Sequence, residues 1–353
     1  MGSKFLRAAV TSIAVLGITL AACSSDDTSS TGSATLNEVT DRGVLNCGVK
    51  DSQPGFGFMN PDGVMEGNDV EYCKAIAAAV LGDASKVNFV PASAKARFDI
   101  LAAKEIDVLI RTTTWTASRD INLKTTFAHT TFYDGQGMMV KSASKFAETA
   151  DLNGATICVT TGTTTEQNLE DFFADRGLSY TALAVENDAE SQAAFLQDRC
   201  DGWTGDKSNL AGQRSAYPAE GGGSAALRIL PDTLSKEPLG PVTREDDPLW
   251  SQIVDWVVLG TILAEEFGVD STNVAAQASS PKNKDVSRLL CAGAEPTEFN
   301  LGISCDFMQN VIAQVGNFGE IYARTIEPIG LAREGSLNAS WKNGGLIYAP
   351  PMR

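Results

Sequence analysis

The chain holds one histidine, His129, among 353 residues. A serine–histidine or cysteine–histidine catalytic pair would have to be built around it. Its surroundings, Phe127-Ala128-His129-Thr130, carry no nucleophile motif, so it reads as structural. There is no Cys-x-x-Cys pair and no cysteine–histidine cluster, so the usual zinc patterns are missing and neither a metal nor a cofactor is expected. Positive charge is scarce: 28 Lys and Arg stand against 44 Asp and Glu, a formal net charge of −16. That balance argues against nucleic acid and anionic lipid as partners. Carboxylates are plentiful, but none has the paired context of a glycoside hydrolase.

What is present begins with an address. Lys4 and Arg7 precede the apolar run Ala8–Leu20, which is too short and wrongly flanked for a membrane span. The run ends in Leu20-Ala21-Ala22-Cys23, a bacterial lipobox in form. Residues 1–22 are therefore expected to be a lipoprotein signal peptide, with Cys23 lipidated. Residues 23–36, rich in Ser, Thr, Asp, Gly and Ala, are expected to be a flexible tether. The protein would sit outside the cytoplasm, in the periplasm or on the cell surface, anchored to a membrane by lipid.

Six further cysteines, Cys47, Cys73, Cys158, Cys200, Cys291 and Cys305, suggest disulfides in an exported chain. Six allow fifteen pairings. Pairing neighbours, 47 with 73, 158 with 200 and 291 with 305, is the simplest.

The length suggests two lobes. Strands are predicted at Val44–Val49, Val87–Val90 and Ile106–Ile110, with helices between them. The alternation implies a mostly parallel, doubly wound sheet. The pattern restarts with strands at Thr156–Val159, Asp201–Gly205 and Leu227–Leu230 and helices after Thr163 and near 189–196. Two extended segments, Gly135–Lys141 and Pro238–Thr243, would cross between the halves. Lobe 1 is then expected to comprise residues 37–137 and 241–353, and lobe 2 residues 138–240. A long amphipathic helix is predicted across Leu249–Leu263, with an irregular tail from Gly316.

Three features of this frame suit an amino-acid ligand, whose carboxylate and ammonium must both be neutralised in a buried site. Arg119 follows the third strand and offers a fork for the carboxylate. Gly162-Thr163-Thr164 opens a helix whose free N–H groups favour an anion. Asp206 closes a strand and suits the ammonium. Each has a plainer reading by itself: a surface ion pair for Arg119, a helix N-cap for Thr163 and for Asp206. Together they fall at strand ends, where open α/β sheets bind ligands.

Several longer words make the chain resemble the polar amino-acid family of periplasmic solute-binding proteins of ABC importers. They are Thr112–Trp115 with Ser118-Arg119-Asp120, Tyr133–Gly137, Asn153–Thr156, Gly162–Glu166, Ser235–Pro241 and Asn343–Pro351. The general L-amino-acid-binding branch is most similar, and Cys47, Cys73, Cys158 and Cys200 fall where that branch has cysteines. The resemblance implies a periplasmic binding protein-like II fold, two α/β lobes on a two-strand hinge, working as a monomer with a membrane permease. It gives the ligand's α-carboxylate to Arg119 with Thr114 and Thr164, and the α-ammonium to Asp206 with Thr112. Phe56 and Trp115 are candidate walls of the side-chain pocket.

The chain departs from the branch at Lys50 and Arg111, where neutral residues are expected, and at Asn68 and Lys104, which read as surface drift. The loop Gly48–Phe58 is similar to the first loop of glutamate-binding members, so Lys50 and Arg111 would favour an acidic side chain, glutamate or aspartate. Alternatives on the same fold are a dehydratase, a peptidoglycan lytic enzyme, or a ligand-sensing module.

Overall fold

The computed structural model describes Gly2, residues 32–293 and residues 299–353. The expected signal peptide, Cys23 and most of the tether lie outside the described residues. The tether ends earlier than position 36. Ser33 is buried, caps the helix α1 (Ala34–Arg42) through Leu36 N–H, and donates its own hydroxyl to Asp247. A Ser-rich stretch reads as linker until a distant carboxylate supplies a partner.

The chain continues through β1 (Leu45–Val49), a small meander β2 (Ser52–Gln53), β3 (Gly57–Met59) and β4 (Met65–Glu66), then α2 (Asn68–Leu81), β5 (Val87–Pro91), α3 (Arg97–Ala102), β6 (Val108–Leu109) and β7 (Thr125–Phe127). After the connecting strand β8 (Phe132–Asp134) come β9 (Gln136–Lys141), β10 (Thr156–Thr160), α4 (Thr164–Ala174), β11 (Thr181–Val185), α5 (Asp188–Leu196), β12 (Gly202–Asp206), α6 (Lys207–Ser215) and β13 (Leu227–Ile229). The chain returns through β14 (Glu237–Leu239) and β15 (Val242–Arg244) to α7 (Pro248–Glu266), α8 (Val274–Ser279), α9 (Lys284–Leu289), α10 (Phe307–Gln314) and α11 (Phe318–Thr325).

Two five-stranded sheets result, in the orders β5-β1-β6-β15-β7 and β11-β10-β12-β9-β13. In each, three parallel strands carry the βαβ crossovers and the strand beside them runs antiparallel: β15, which follows them in the chain, in the first sheet, and β9, which precedes them, in the second. β8 pairs antiparallel with β14 in a separate two-stranded ribbon between the two sheets. This corrects the expected crossovers: Gln136–Lys141 is a strand of the second sheet, and the link lies just before it, at Phe132–Asp134. An extended run by itself does not say which sheet it joins.

The largest core packs α2, α7, α10 and α11 behind the first sheet. α7 starts at Pro248 with Asp247 accepting from Trp250 N–H, a well-formed N-terminus. The tail is more regular than expected. Asn317 and Glu320 form a capping box, and Phe318, Ile321 and Tyr322 bury one face of α11. Asn68 is no surface drift, being buried at the start of α2 with its N–H on Gly55 O. Lys104 is exposed and has φ 61°, a conformation that suits glycine better.

The cysteines pair 47–73, 158–200 and 291–305, closing spans of 26, 42 and 14 residues. Alkylation of the unreduced, denatured protein should find none of these six thiols free. Removing 158–200 as a Cys158→Ala/Cys200→Ala pair should cost about 3–4 kcal/mol in denaturant unfolding. Two or more free thiols would contradict the pairing.

Candidate functional site

The carboxyl ends of the parallel strands of both sheets face one another. Lys50 follows β1, Arg111 to Thr114 follow β6, Thr160 to Thr164 end β10 and open α4, Asp188 follows β11, and Asp206 ends β12. They enclose a cavity of about 50 Å³, counted as space open to the centre of a water molecule. Lys50, Arg111, Thr112, Thr114, Arg119, Thr163, Thr164 and Asp206 all line it.

Arg119 sits on a short turn at Ser118–Asn122, is buried, and holds its fork by donating from Nη1 to Thr114 O at 2.8 Å. Phe98 lies under the guanidinium at 5.6 Å. Burial lowers its pKa, while the Glu237 and Asp206 carboxylates hold it up. Thr163 does cap α4, accepting from Glu166 N–H at 3.1 Å. Glu166 answers at Gly162 N–H, one residue before the N-cap, where φ is 72°.

Asp206 is not a working cap: its side chain bonds no backbone N–H of α6. Its Oδ1 is buried and has no hydrogen-bond partner. Burial, with the Asp134 and Glu237 carboxylates adding, pushes its pKa well above the usual range. A buried acceptor left unsatisfied is costly.

Thr112 has φ 43°, an outlier for a β-branched residue. It is held there by its N–H on Asp69 Oδ2 at 2.8 Å. Arg111 is buried with its Nε unpartnered. Lys50 bonds Asp188 Oδ2 at 2.5 Å, across the cleft, and Gln53 Oε1 at 3.0 Å. The cation is therefore countered from the opposite sheet. Burial lowers its pKa and Asp188 raises it.

Two expected walls are absent from the lining. Phe56 is fully buried in the first lobe's core, edge-on to Phe132 at 5.2 Å. Trp115 is 45% exposed, stacks on Phe127 at 5.9 Å, and donates Nε1 to Asp120. An aromatic near a site motif can face core or solvent, and spacing does not tell which.

Sequence reasoning missed three groups. Arg97, 2% exposed, reaches Gly162 O across the cleft at 3.5 Å. Its position after the second strand was the available signal. Asp188 was missed because the Ala-rich β11 before it was not read as a strand. Glu237, on the connecting strand β14, is buried and accepts from Thr114 Oγ1, Thr164 Oγ1, Asn168 Nδ2 and Ser235 Oγ. A hydroxyl has one proton. In this arrangement Thr114 and Thr164 give theirs to Glu237. Donors in the same cavity without a side-chain acceptor include the N–H groups opening α4 and Arg111 Nε, beside the Arg119 guanidinium.

Two lobes of matching sheet order, a two-strand link and a charged cavity between them define a two-lobed binding protein of the type 2 periplasmic fold. The chain belongs to the bacterial extracellular solute-binding proteins, family 3, whose profile matches residues 45–279. It is 44% identical to the glutamate/glutamine/aspartate/asparagine-binding protein BztA of Rhodobacter capsulatus, over 91% of this chain and 94% of that protein. It is 42% identical to the general L-amino acid-binding periplasmic protein AapJ of Rhizobium johnstonii, over the full length of both. Among solved structures, an ABC transporter periplasmic binding protein from Brucella ovis with glutathione bound matches with TM-score 0.86 and 41% identity, covering 90% of this chain and 99% of that one. Among the described residues, no helix is long and apolar enough to cross a membrane.

Burial raises the carboxyls of Asp69 and Asp134 to about 6. A carboxyl raised in the folded state binds its proton more tightly there. Its stabilising contribution is full below the unfolded value near ~4 and is lost as pH rises through about 6. In ligand-free thermal melts, the midpoint of wild type minus that of Asp69→Asn/Asp134→Asn should fall across this window as pH rises. A difference independent of pH would contradict the assignment.

Proposed function

We propose that this protein captures an L-amino acid outside the cytoplasm and delivers it to an ABC importer. The observation that carries the reading is that Arg119 and the buried, unpartnered Oδ1 of Asp206 line one cavity. The ligand's α-carboxylate goes to Arg119 and the N–H groups opening α4. Its α-ammonium goes to Asp206, with the Thr112, Thr114 and Thr164 hydroxyls facing the same cavity. Lobe motion about β8 and β14 admits the ligand, and its added contacts in the closed form hold the lobes together. The named functions of BztA and AapJ support the amino-acid class and the transport role. An acidic side chain is favoured by Lys50 and Arg111, but modestly, because Asp188 already pairs with Lys50.

Cys23 is proposed as the lipid attachment, from Leu20-Ala21-Ala22-Cys23 and the polar stretch after it. Cys23→Ser should move the protein from the membrane fraction to the soluble one. Retention on membranes would refute the anchor.

A second reading enlarges the ligand. A neighbouring cavity of about 260 Å³ shares Lys50, Arg111, Thr160 and Asp188 with the first. The glutathione in the Brucella ovis relative makes a γ-glutamyl peptide a candidate occupant. The protein is proposed to be no enzyme, so ligand released by denaturation should be recovered unchanged.

Calorimetry tests the main reading. Arg119→Ala and Asp206→Ala each leave a ligand charge unpaired in a closed cavity, at roughly 3–5 kcal/mol. Binding should weaken by two orders of magnitude or more, with circular dichroism unchanged. Near-normal affinity in both variants would refute it.

A further inference from the structure

We infer that Asp188 sets side-chain specificity, acting as a built-in counter-carboxylate that lets one pocket accept both carboxylate and carboxamide side chains. This rests on the cavity binding an amino acid through Arg119 and Asp206. With the α-groups there, the other end of the cavity, formed by Lys50, Arg111, Gln53 and Asp188, is left for the side chain.

The hydrogen-bond inventory at that end is two-sided. Lys50 has three protons, gives one to Gln53, and pairs as an ion with Asp188. The ammonium keeps donor capacity, and Arg111 Nε is a further unpartnered donor. Asp188 Oδ2 faces Lys50 as its ion-pair partner, accepts no hydrogen bond, and keeps lone-pair capacity. Its carboxylate cannot easily turn away. Asn209 Nδ2 donates to Asp188 Oδ1 at 3.0 Å, and Gln213 donates to Asn209 Oδ1 in turn. The residue is 2% exposed and sits in the first turn of α5, where a negative charge is favoured.

A glutamine side chain uses both halves of this set: its carbonyl takes a donor from Lys50 or Arg111, and its amide N–H donates to Asp188. A glutamate side chain gains the two cations but meets the Asp188 charge. The opposing terms keep the two ligands close in affinity. Without the Asp188 charge, the end would be more positive and would lose its carboxylate acceptor for the amide. A glutamate would then gain attraction, and a glutamine would lose a hydrogen bond.

The test compares glutamate and glutamine by calorimetry on the full-length protein. For wild type, the ratio Kd(Gln)/Kd(Glu) should stay within roughly tenfold of one. Asp188→Asn keeps shape and loses the charge, and the ratio should rise by roughly tenfold or more, the scale of one buried charge–charge term. Lys50→Gln is the complementary variant. With Asp188 left unopposed by Lys50, it should reverse the order and favour glutamine. A purely structural Asp188 would weaken both ligands equally, and an unchanged or lowered ratio in Asp188→Asn would overturn the inference. So would a Lys50→Gln protein that still prefers glutamate. If wild type binds neither ligand nor any other amino acid, the parent reading falls as well; if it binds and only the ratios fail, the parent reading stands.

Discussion

Everything at the centre of this protein depends on neutralising buried charge from two sides at once. Lys50, Arg97, Arg111 and Arg119 come from the first sheet's loops, while Asp188 and Asp206 come from the second's. Charges of either sign are costly to bury without partners. Neither lobe carries a balanced set by itself. Lys50 finds Asp188 only across the cleft, and Arg97 finds the Gly162 carbonyl only there. The closed arrangement is thus an electrostatic solution shared between lobes, and Asp206 Oδ1 is among the buried acceptors it leaves without a hydrogen bond.

The link between lobes is built into the same network. Glu237 stands on β14, opposite Asp134 of β8, and gathers Thr114 from the first lobe with Thr164 and Asn168 from the second. Its buried carboxylate makes the connecting ribbon part of the site instead of a passive strap. Close backbone approach adds to this. Gly212 on α6 lies so near Pro54 O that a Cβ there would come within 2.6 Å of it. A side chain at that point would hold the lobes apart.

Around the cleft the scaffold is conventional in its physics. The central parallel strands β1 and β10 are largely buried, a long apolar α7 backs the first sheet, and disulfides tie β1 to α2 and β10 to the chain just before β12. Residues 280–353 lie beyond the family profile, yet α10 and α11 pack into the first lobe's main core. They are part of the lobe's hydrophobic support, so the extension bears on the position of β1 and Lys50 through α2.

How much was legible in the chain depended on whether a property was local. Strand and helix periodicity, the Thr163 cap and the alternation that makes a doubly wound sheet are local, and they gave the two-lobed fold. Strand ends then located Arg119, Thr163 and Asp206, because open α/β sheets collect ligand groups there, while Lys50 and Arg111 came from the resemblance to glutamate-binding members. Partnership was not local. Nothing in Ser33 announces Asp247, nothing in Lys50 announces Asp188, and nothing in Glu237 announces Thr114 and Thr164; those partners lie 214, 138, 123 and 73 positions away. Which face Phe56 and Trp115 present was also undecided, since an aromatic beside a site motif is stabilised equally well by core. The sequence by itself determined the kind of fold and the charged residues available. Tertiary structure decided which charges are already paired and which oxygen is left waiting, because pairing depends on separations in space that no spacing along the chain encodes.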